Sequence, residues 1–403
     1  MKKRNFIASA VIMMAAVHGF ANAQDTLSVK LGVLNDLSGI GAELGGQGSV
    51  IAARMAAEDF HKTHPDVKVE VIFSDHQNKA DIGAATARQW YDQEGVDAIL
   101  GVQTSSVALA VNALTKEKNK VLIGSGPGTA DLTGKACTPN TVHWTYDTWA
   151  LAHATGSALV KEGGKTWFFI TSDYSFGHAL EKDTSKVVID GGGKVLGHAL
   201  HPFGTTDYSS YILQAQTSGA QVIGMATSSG DLVSLIKQSA EFGVMAQGQR
   251  LAALLMFITD VHALGLDSVQ GLVLSGPFYW DLNADTRKWS QRFAERSGGT
   301  MPTMVHAGVY AGAMHYLKAV AALKNTQDGA AVVAKMKQMP TNDPLFGKGK
   351  IRIDGRKIHP MYLFQVKTPA ESKSPWDYYK VLATIPADQA FRPLAAGNCP
   401  LVK

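Results

Sequence analysis

The chain has 403 residues, 45% of them hydrophobic and 18% charged, with a formal net charge of +4. That length supports two hydrophobic cores of ordinary size, so two lobes are the default. Three of the positive charges sit in the first four residues, so the remaining chain carries only about +1, which argues against nucleic acid or an anionic membrane surface as partner.

Lys2, Lys3 and Arg4 precede an apolar run from Phe6 to Val17, and Ala21-Asn22-Ala23 then offers small residues at the cleavage positions. This is the pattern of a secretory signal peptide over 1–23, and it predicts a mature protein that starts at Gln24 in the periplasm. No Cys follows the leader to carry a lipid anchor, and no later apolar run reaches the roughly 18 residues that a membrane span needs. The two cysteines, Cys137 and Cys399, read in an exported chain as one disulfide that ties the C-terminal tail to the loop around 137; the alternative is a pair of buried free thiols.

After the leader, a short apolar strand from Val29 to Leu34 runs into a polar turn through Asn35, Asp36, Ser38 and Gly39, and Val50, Ala53, Ala57 and Phe60 then recur at helical spacing. The unit repeats: strand 67–73 and helix 82–91, strand 98–101 and helix 107–114, strand 121–123 and the loop Gly124-Ser125-Gly126-Pro127-Gly128-Thr129. A second series follows Cys137, with helix 149–160, strand 166–170, helix 178–189, strand 195–199, helix 210–217, strand 221–226, helix 232–242 and strand 251–257. Such alternation predicts two parallel sheets covered by helices on both faces, an α/β fold of two Rossmann-like lobes. The fragments beyond are a strand at 271–275, helices at 287–296, 305–323 and 330–339, and a late strand at 362–366. They are too few for a third core and serve to complete the first two lobes. The expected division is 24–147 plus 276–355 for the first lobe and 148–275 plus 356–403 for the second.

In open α/β sheets ligands bind beyond the carboxyl ends of the strands. Gln103-Thr104-Ser105-Ser106 opens a helix, where hydroxyls and unpaired amides either hold an anionic oxygen or simply cap the helix. Gly126-Pro127-Gly128-Thr129 adds a second rigid loop, and the two together suggest a carboxylate grip. From the other lobe, Tyr174 and Phe176 offer rings for an apolar or aromatic ligand body, and Asp231 offers a partner for an ammonium or a cap for helix 232–242. Phe278-Tyr279-Trp280-Asp281 is an aromatic cluster at an expected crossing, read as hinge packing or as a wall of the pocket. Trp144, Tyr146 and Trp149 around Asp147 pose the same choice.

The chain has no G-x-G-x-x-G fingerprint, no P-loop Lys in 124–129, no H-E-x-x-H and no G-x-S-x-G elbow. His61, His64 and His178 stand as single surface or core residues. A non-enzymatic binding protein without a cofactor or metal is therefore expected. A ligand-sensing receptor subunit and a secreted α/β enzyme are the alternatives.

VKLGVLNDLSG, ILGVQTSS, VLIGSGPGTADLTGKAC, TSDYSFG and HAGVYAGAMHYLKAV, in this order, resemble the periplasmic solute-binding proteins of branched-chain amino acid type ABC transporters over essentially the whole mature chain. The resemblance implies two lobes joined by three crossings that close over a small carboxylate ligand and deliver it to a membrane permease. It implies a carboxylate held by Ser105 and Ser106, a loop matched at Pro127 and Thr129, an aromatic contact from Tyr174 to Phe176 and an acid near Asp231; Gly128, Tyr279 and Trp280 join these as expected ligand contacts from their positions in the chain. Two departures point away from a strict Leu/Ile/Val ligand: Ala226-Thr227-Ser228-Ser229-Gly230 replaces an aromatic-rich strand exit, and FYWDLN resembles a subgroup that takes aromatic or other organic acids.

Overall fold

The computed structural model describes residues 27–403, and the leader expected at 1–23 lies outside them. The first unit contains β1 (Leu27–Asn35), α1 (Gly46–His61), β2 (Val67–Asp75), α2 (Ala80–Gln89), β3 (Ala98–Gly101), α3 (Ser105–Glu117), β4 (Val121–Gly124) and β5 (Thr141–His143). Its sheet is parallel throughout, in the order β2-β1-β3-β4-β5. β3 and β4 are buried along their whole length, as strands covered on both faces must be.

The second unit begins with α4 (Thr148–Leu151) and α5 (Ser157–Lys161), which are continuous through a wider turn at Ala152–Gly156. It continues with β6 (Thr166–Ser172), α6 (Ser175–Asp190), β7 (Lys194–His201), α7 (Ser209–Thr217), β8 (Val222–Ala226), α8 (Ser229–Glu241), β9 (Arg250–Ala253), α9 (Ile258–Leu264) and α10 (Leu266–Val269). The parallel order is β7-β6-β8-β9. The strand expected over 251–257 ends at Ala253, because the segment turns and starts α9, whose Asp260 side chain accepts from the Phe257 amide.

The remaining elements complete these units, as the sequence predicts. β10 (Val273–Gly276) pairs antiparallel with β14 (Met361–Val366), which pairs with β15 (Tyr379–Ile385) beside the second sheet. α11 (Ala284–Ala294), α12 (Met304–Leu323) and α13 (Gly329–Gln338) pack on the first, followed by the small β11 (Thr341–Asp343), β12 (Gly347–Ile351) and β13 (Lys357–Ile358). α12 is buried around most of its circumference, which explains its run of small and apolar residues. It is anchored to α1 and α11 through Asp59, which accepts from Arg292 at 2.8 and 2.9 Å and from the Tyr310 hydroxyl at 2.9 Å. No helix among the described residues is long and apolar enough to cross a membrane.

The chain passes between the two lobes after β5, after β10 and between β13 and β14. The tail then returns. Residues 386–403, grouped with the second lobe in the expected division, are bonded to the first: Cys399 is joined to Cys137, and the Arg392 guanidinium donates to the Ala130 carbonyl at 2.9 Å. The sequence placed both cysteines in one disulfide, and a tether to residue 137 leaves the tail no other resting place. Breaking it in Cys137→Ser/Cys399→Ser should lower unfolding stability by about 2–5 kcal/mol. Urea titrations read this difference, and the unfolded, unreduced wild type should expose no free thiol.

Candidate functional site

β4 leads into Ser125-Gly126-Pro127-Gly128-Thr129, and the direction of each peptide in that loop is set by the first crossing. The Thr145 hydroxyl donates to the Ser125 carbonyl (2.5 Å), the Tyr146 hydroxyl to the Gly126 carbonyl (2.7 Å), the His143 Nε2 to the Pro127 carbonyl (2.7 Å) and the Thr148 amide to the Gly128 carbonyl (2.8 Å). Burial holds His143 neutral, so its ring proton lies on Nε2, where the Pro127 carbonyl accepts it. In a trans peptide the C=O and the following N–H point in opposite directions, and the described chain has no cis bond. Four carbonyls turned toward the crossing therefore turn the amides of Gly126, Gly128 and Thr129 away from it. The Thr129 amide reaches the Ser105 hydroxyl at 3.1 Å. The amides of Gly126 and Gly128 have no acceptor among the described residues.

The structure thus brings Ser105, Pro127, Gly128 and Thr129 together, with Ser106 in the next position of α3. Thr104, the residue before α3, makes no capping bond, because its hydroxyl donates to Asn78 Oδ1 instead. The first-turn amides of α3 keep their donors, and the helix dipole adds partial positive charge there. α6 and α8 of the second lobe also begin without a capping side chain, at Tyr174 and Ser228. Three uncapped helix N-termini at the strand tips make a cleft suited to an anion.

The lobes touch at two places beside this cleft. Phe176 lies on the Gly128 backbone so closely that a Cβ on Gly128 would fall 2.5 Å from the ring. At the rim, the Gly230 amide donates to the Ile40 carbonyl at 3.4 Å, and a Cβ on Gly230 would meet the Ile40 side chain at 3.1 Å. Tyr174 stands edge-on to Phe203 with centroids 5.3 Å apart, and Tyr146 edge-on to Phe257 at 6.1 Å. These rings form an aromatic wall. Gln103 donates to the Asp36 and Gly41 carbonyls and leaves its Oε1 buried and unpartnered, as is the Ser125 hydroxyl.

The Tyr279 hydroxyl and Trp280 Nε1 both donate to the Trp376 carbonyl, and Tyr279 packs on Phe364 and Tyr379. Tyr279 and Trp280 are hinge packing, because β15 and the 376–378 turn, which no sequence signal placed there, cover them. Asp231 neither caps α8 nor stands free. It lies in the first turn of that helix, its carboxylate accepts from the Gly204 amide (3.1 Å), and it faces His201 and Tyr208, while burial raises its pKa against these partners.

The sequence reading did not single out His143, Thr145, Thr148, Ile40, Phe203 or Asp260. Asp260 is buried, its pKa is pushed up to about 7 by that burial, and the Phe257 amide is its bonded partner. The one available signal was the dense polar and aromatic run His143–Thr148, directly after a strand. A surface depression of about 830 Å³, lined by Leu27, His64, Lys318 and Thr326, opens at the amino-terminal edge of the first sheet, away from these groups.

The periplasmic binding protein family model matches residues 28–373. A Leu/Ile/Val-binding protein homologue of Brucella suis is 25% identical over 392 residues, covering 95% of this chain and 97% of its own length. A periplasmic binding protein from Burkholderia mallei superposes with a TM-score of 0.91 at 50% identity, covering 94% of this chain and 100% of its own. A branched chain amino acid ABC transporter periplasmic ligand-binding protein from Burkholderia xenovorans gives 0.81 at 36% identity, covering 93% and 100%. Two parallel-sheet lobes with their strand tips facing across a cleft, and a family match over most of the length, make this chain a member of the periplasmic binding protein family, whose members are the non-enzymatic solute-binding components of ABC transporters.

Proposed function

We propose that this chain is exported through its leader, captures a small monocarboxylate in the cleft and presents the closed complex to a membrane permease. The observation that carries this reading is the loop whose carbonyls from Ser125 to Gly128 are tied back, so that the Gly126 and Gly128 amides turn away from the crossing without an acceptor among the described residues, in a loop bonded to Ser105 at the uncapped start of α3. A carboxylate there accepts from those amides and from the hydroxyls of Ser105 and Ser106, with Thr129 closing the loop. Phe176 and Tyr174 then cover the apolar remainder from the second lobe. Residues 27–147, 277–358 and 386–403 form the carboxylate-holding lobe in this scheme, and 148–276 with 359–385 the covering lobe. Closure shifts the population toward the form the permease recognises.

The carboxyl groups near the cleft also bear on the ligand. Asp36 accepts from the amides of Gly39 and Gly41, Asp173 pairs with His178, Asp231 is committed to Gly204, and Asp260 to Phe257. Each has a partner inside the protein, so we propose that an apolar or aromatic monocarboxylate is preferred over an α-amino acid, whose ammonium would need a free acid. A receptor subunit would use the same cleft, and its docking partner alone separates that role from transport.

In a thermal-shift panel, benzoate-like and short aliphatic acids should raise the melting temperature more than L-leucine, and the matching amides should leave it unchanged. Shifts from amides equal to those from acids would overturn the carboxylate grip, and a larger shift from L-leucine would overturn the ligand preference. Gly128→Ala should force Phe176 out of place at a cost of about 1–3 kcal/mol. Titration calorimetry should then show carboxylate affinity falling about tenfold or more, with small-angle scattering showing a less compact loaded form.

A further inference from the structure

The loop that offers its amides to the cleft is held by Thr145 and Tyr146, and these two residues are themselves held from behind. Arg356, at the end of the turn before β13, is fully buried. Its guanidinium donates to the carbonyls of both Thr145 (Nη2) and Tyr146 (Nη1, 3.2 Å), while Nε donates to the Lys357 carbonyl at 3.1 Å. Asp147 Oδ2 lies 3.6 Å from Nη1, and the other oxygen of the same carboxylate accepts from the Ala150 amide at the start of α4. One planar cation therefore fixes three consecutive residues of the first crossing. Their side chains hold the Ser125 and Gly126 carbonyls on one side and start the second lobe on the other. His359 supplements this by meeting the Trp144 and Thr145 carbonyls at 3.0 and 2.9 Å.

The far face of the guanidinium is closed by the returning tail. The ring of Phe391 lies 4.3 Å from the Arg356 carbon, and its neighbour Arg392 is held at both ends. The Arg392 carbonyl accepts from Arg352 at 2.7 Å, and its side chain donates to Ala130, the residue after Thr129. The disulfide from Cys399 to Cys137 closes the same circuit. A buried cation excluded from water on one face by an aromatic ring and bonded to two carbonyls on its edge is strongly constrained in position.

We infer that Arg356, covered by Phe391, is the positioning residue of the Ser125–Thr129 loop, and that the tail clamps the amides of Gly126 and Gly128 in the direction a carboxylate needs. This rests on the proposed carboxylate role of the loop for its functional meaning, but the orientation of the loop is measurable without any ligand. A lysine cannot replace Arg356, because one ammonium cannot straddle two carbonyls, meet Asp147 and lie flat beneath a ring.

The test is hydrogen exchange on the full ligand-free chain. In Arg356→Lys the amides of 124–133 should exchange at least tenfold faster than in the wild type, while those of β8 stay unchanged. Phe391→Ala should accelerate the same segment severalfold, and Phe391→Tyr, which keeps the ring, should restore wild-type exchange. It also decides the matter if Arg356→Lys fails to fold. Val333→Ala, a cavity in α13 of the same lobe, controls for general destabilisation and should leave 124–133 as in the wild type. Wild-type exchange in both Arg356→Lys and Phe391→Ala, or equal acceleration in Val333→Ala, would overturn the inference. Calorimetry with benzoate and L-leucine separates the two readings. If neither probe nor any acid in the panel binds the wild type, the carboxylate reading fails while the exchange result still stands. If one binds, Arg356→Lys should weaken it about tenfold.

Discussion

A peptide loop can offer its amides to an anion only if its carbonyls have somewhere else to go. Each carbonyl oxygen repels a carboxylate and also demands a donor once buried. Here four carbonyls in succession, from Ser125 to Gly128, find donors on His143, Thr145, Tyr146 and Thr148. The planar trans peptide does the rest, sending the amides the opposite way. Pro127 fits the scheme because it has no amide to place, and Gly128 because Phe176 presses on it from the other lobe.

The same interaction makes the ligand loop and the hinge one object. The residues that hold the loop are those through which the chain leaves the first lobe, and Thr148, the last of them, is the first residue of α4. Any motion of the second lobe about this crossing acts on residues bonded to the loop. The two lobe contacts, Phe176 on Gly128 and Gly230 on Ile40, lie at the floor and the rim of the cleft. At Gly128 backbone meets the Phe176 ring without room for a Cβ, and at Gly230 a Cβ would fit only tightly against Ile40. The loop and the lobe contacts are thus linked through contiguous bonded and packed groups rather than through a distant relay.

The parallel sheets, their helices and the interleaved use of the last third of the chain were legible, because fully buried strands and amphipathic helices write their periods into the sequence. Loops at strand tips were legible by position, and the structure places Ser105 and Thr129 within hydrogen-bond distance of each other. β5, with three residues, and β11 to β13 have too few residues for a period. β15 alternates poorly because most of it is exposed. The surroundings of Tyr279 and Trp280 were not legible, because an aromatic cluster has the same composition whether it faces a ligand or the back of a hinge. Nor was the direction of Asp231, because a carboxylate in the first turn of a helix can turn outward or into its own lobe, and the position of Gly204, 27 residues earlier, decided which.

By itself the sequence determined a two-lobed α/β chain with one disulfide, since those properties follow from local pattern, count and spacing. Only the tertiary structure decided which way each peptide of the 125–129 loop points, that the tail rests on the first lobe, and that Arg356 lies behind the crossing. These depend on hydrogen bonds between residues 16 to more than 200 positions apart. No local propensity encodes such partners; they are chosen when the packed lobes leave each buried polar group a single donor or acceptor within reach.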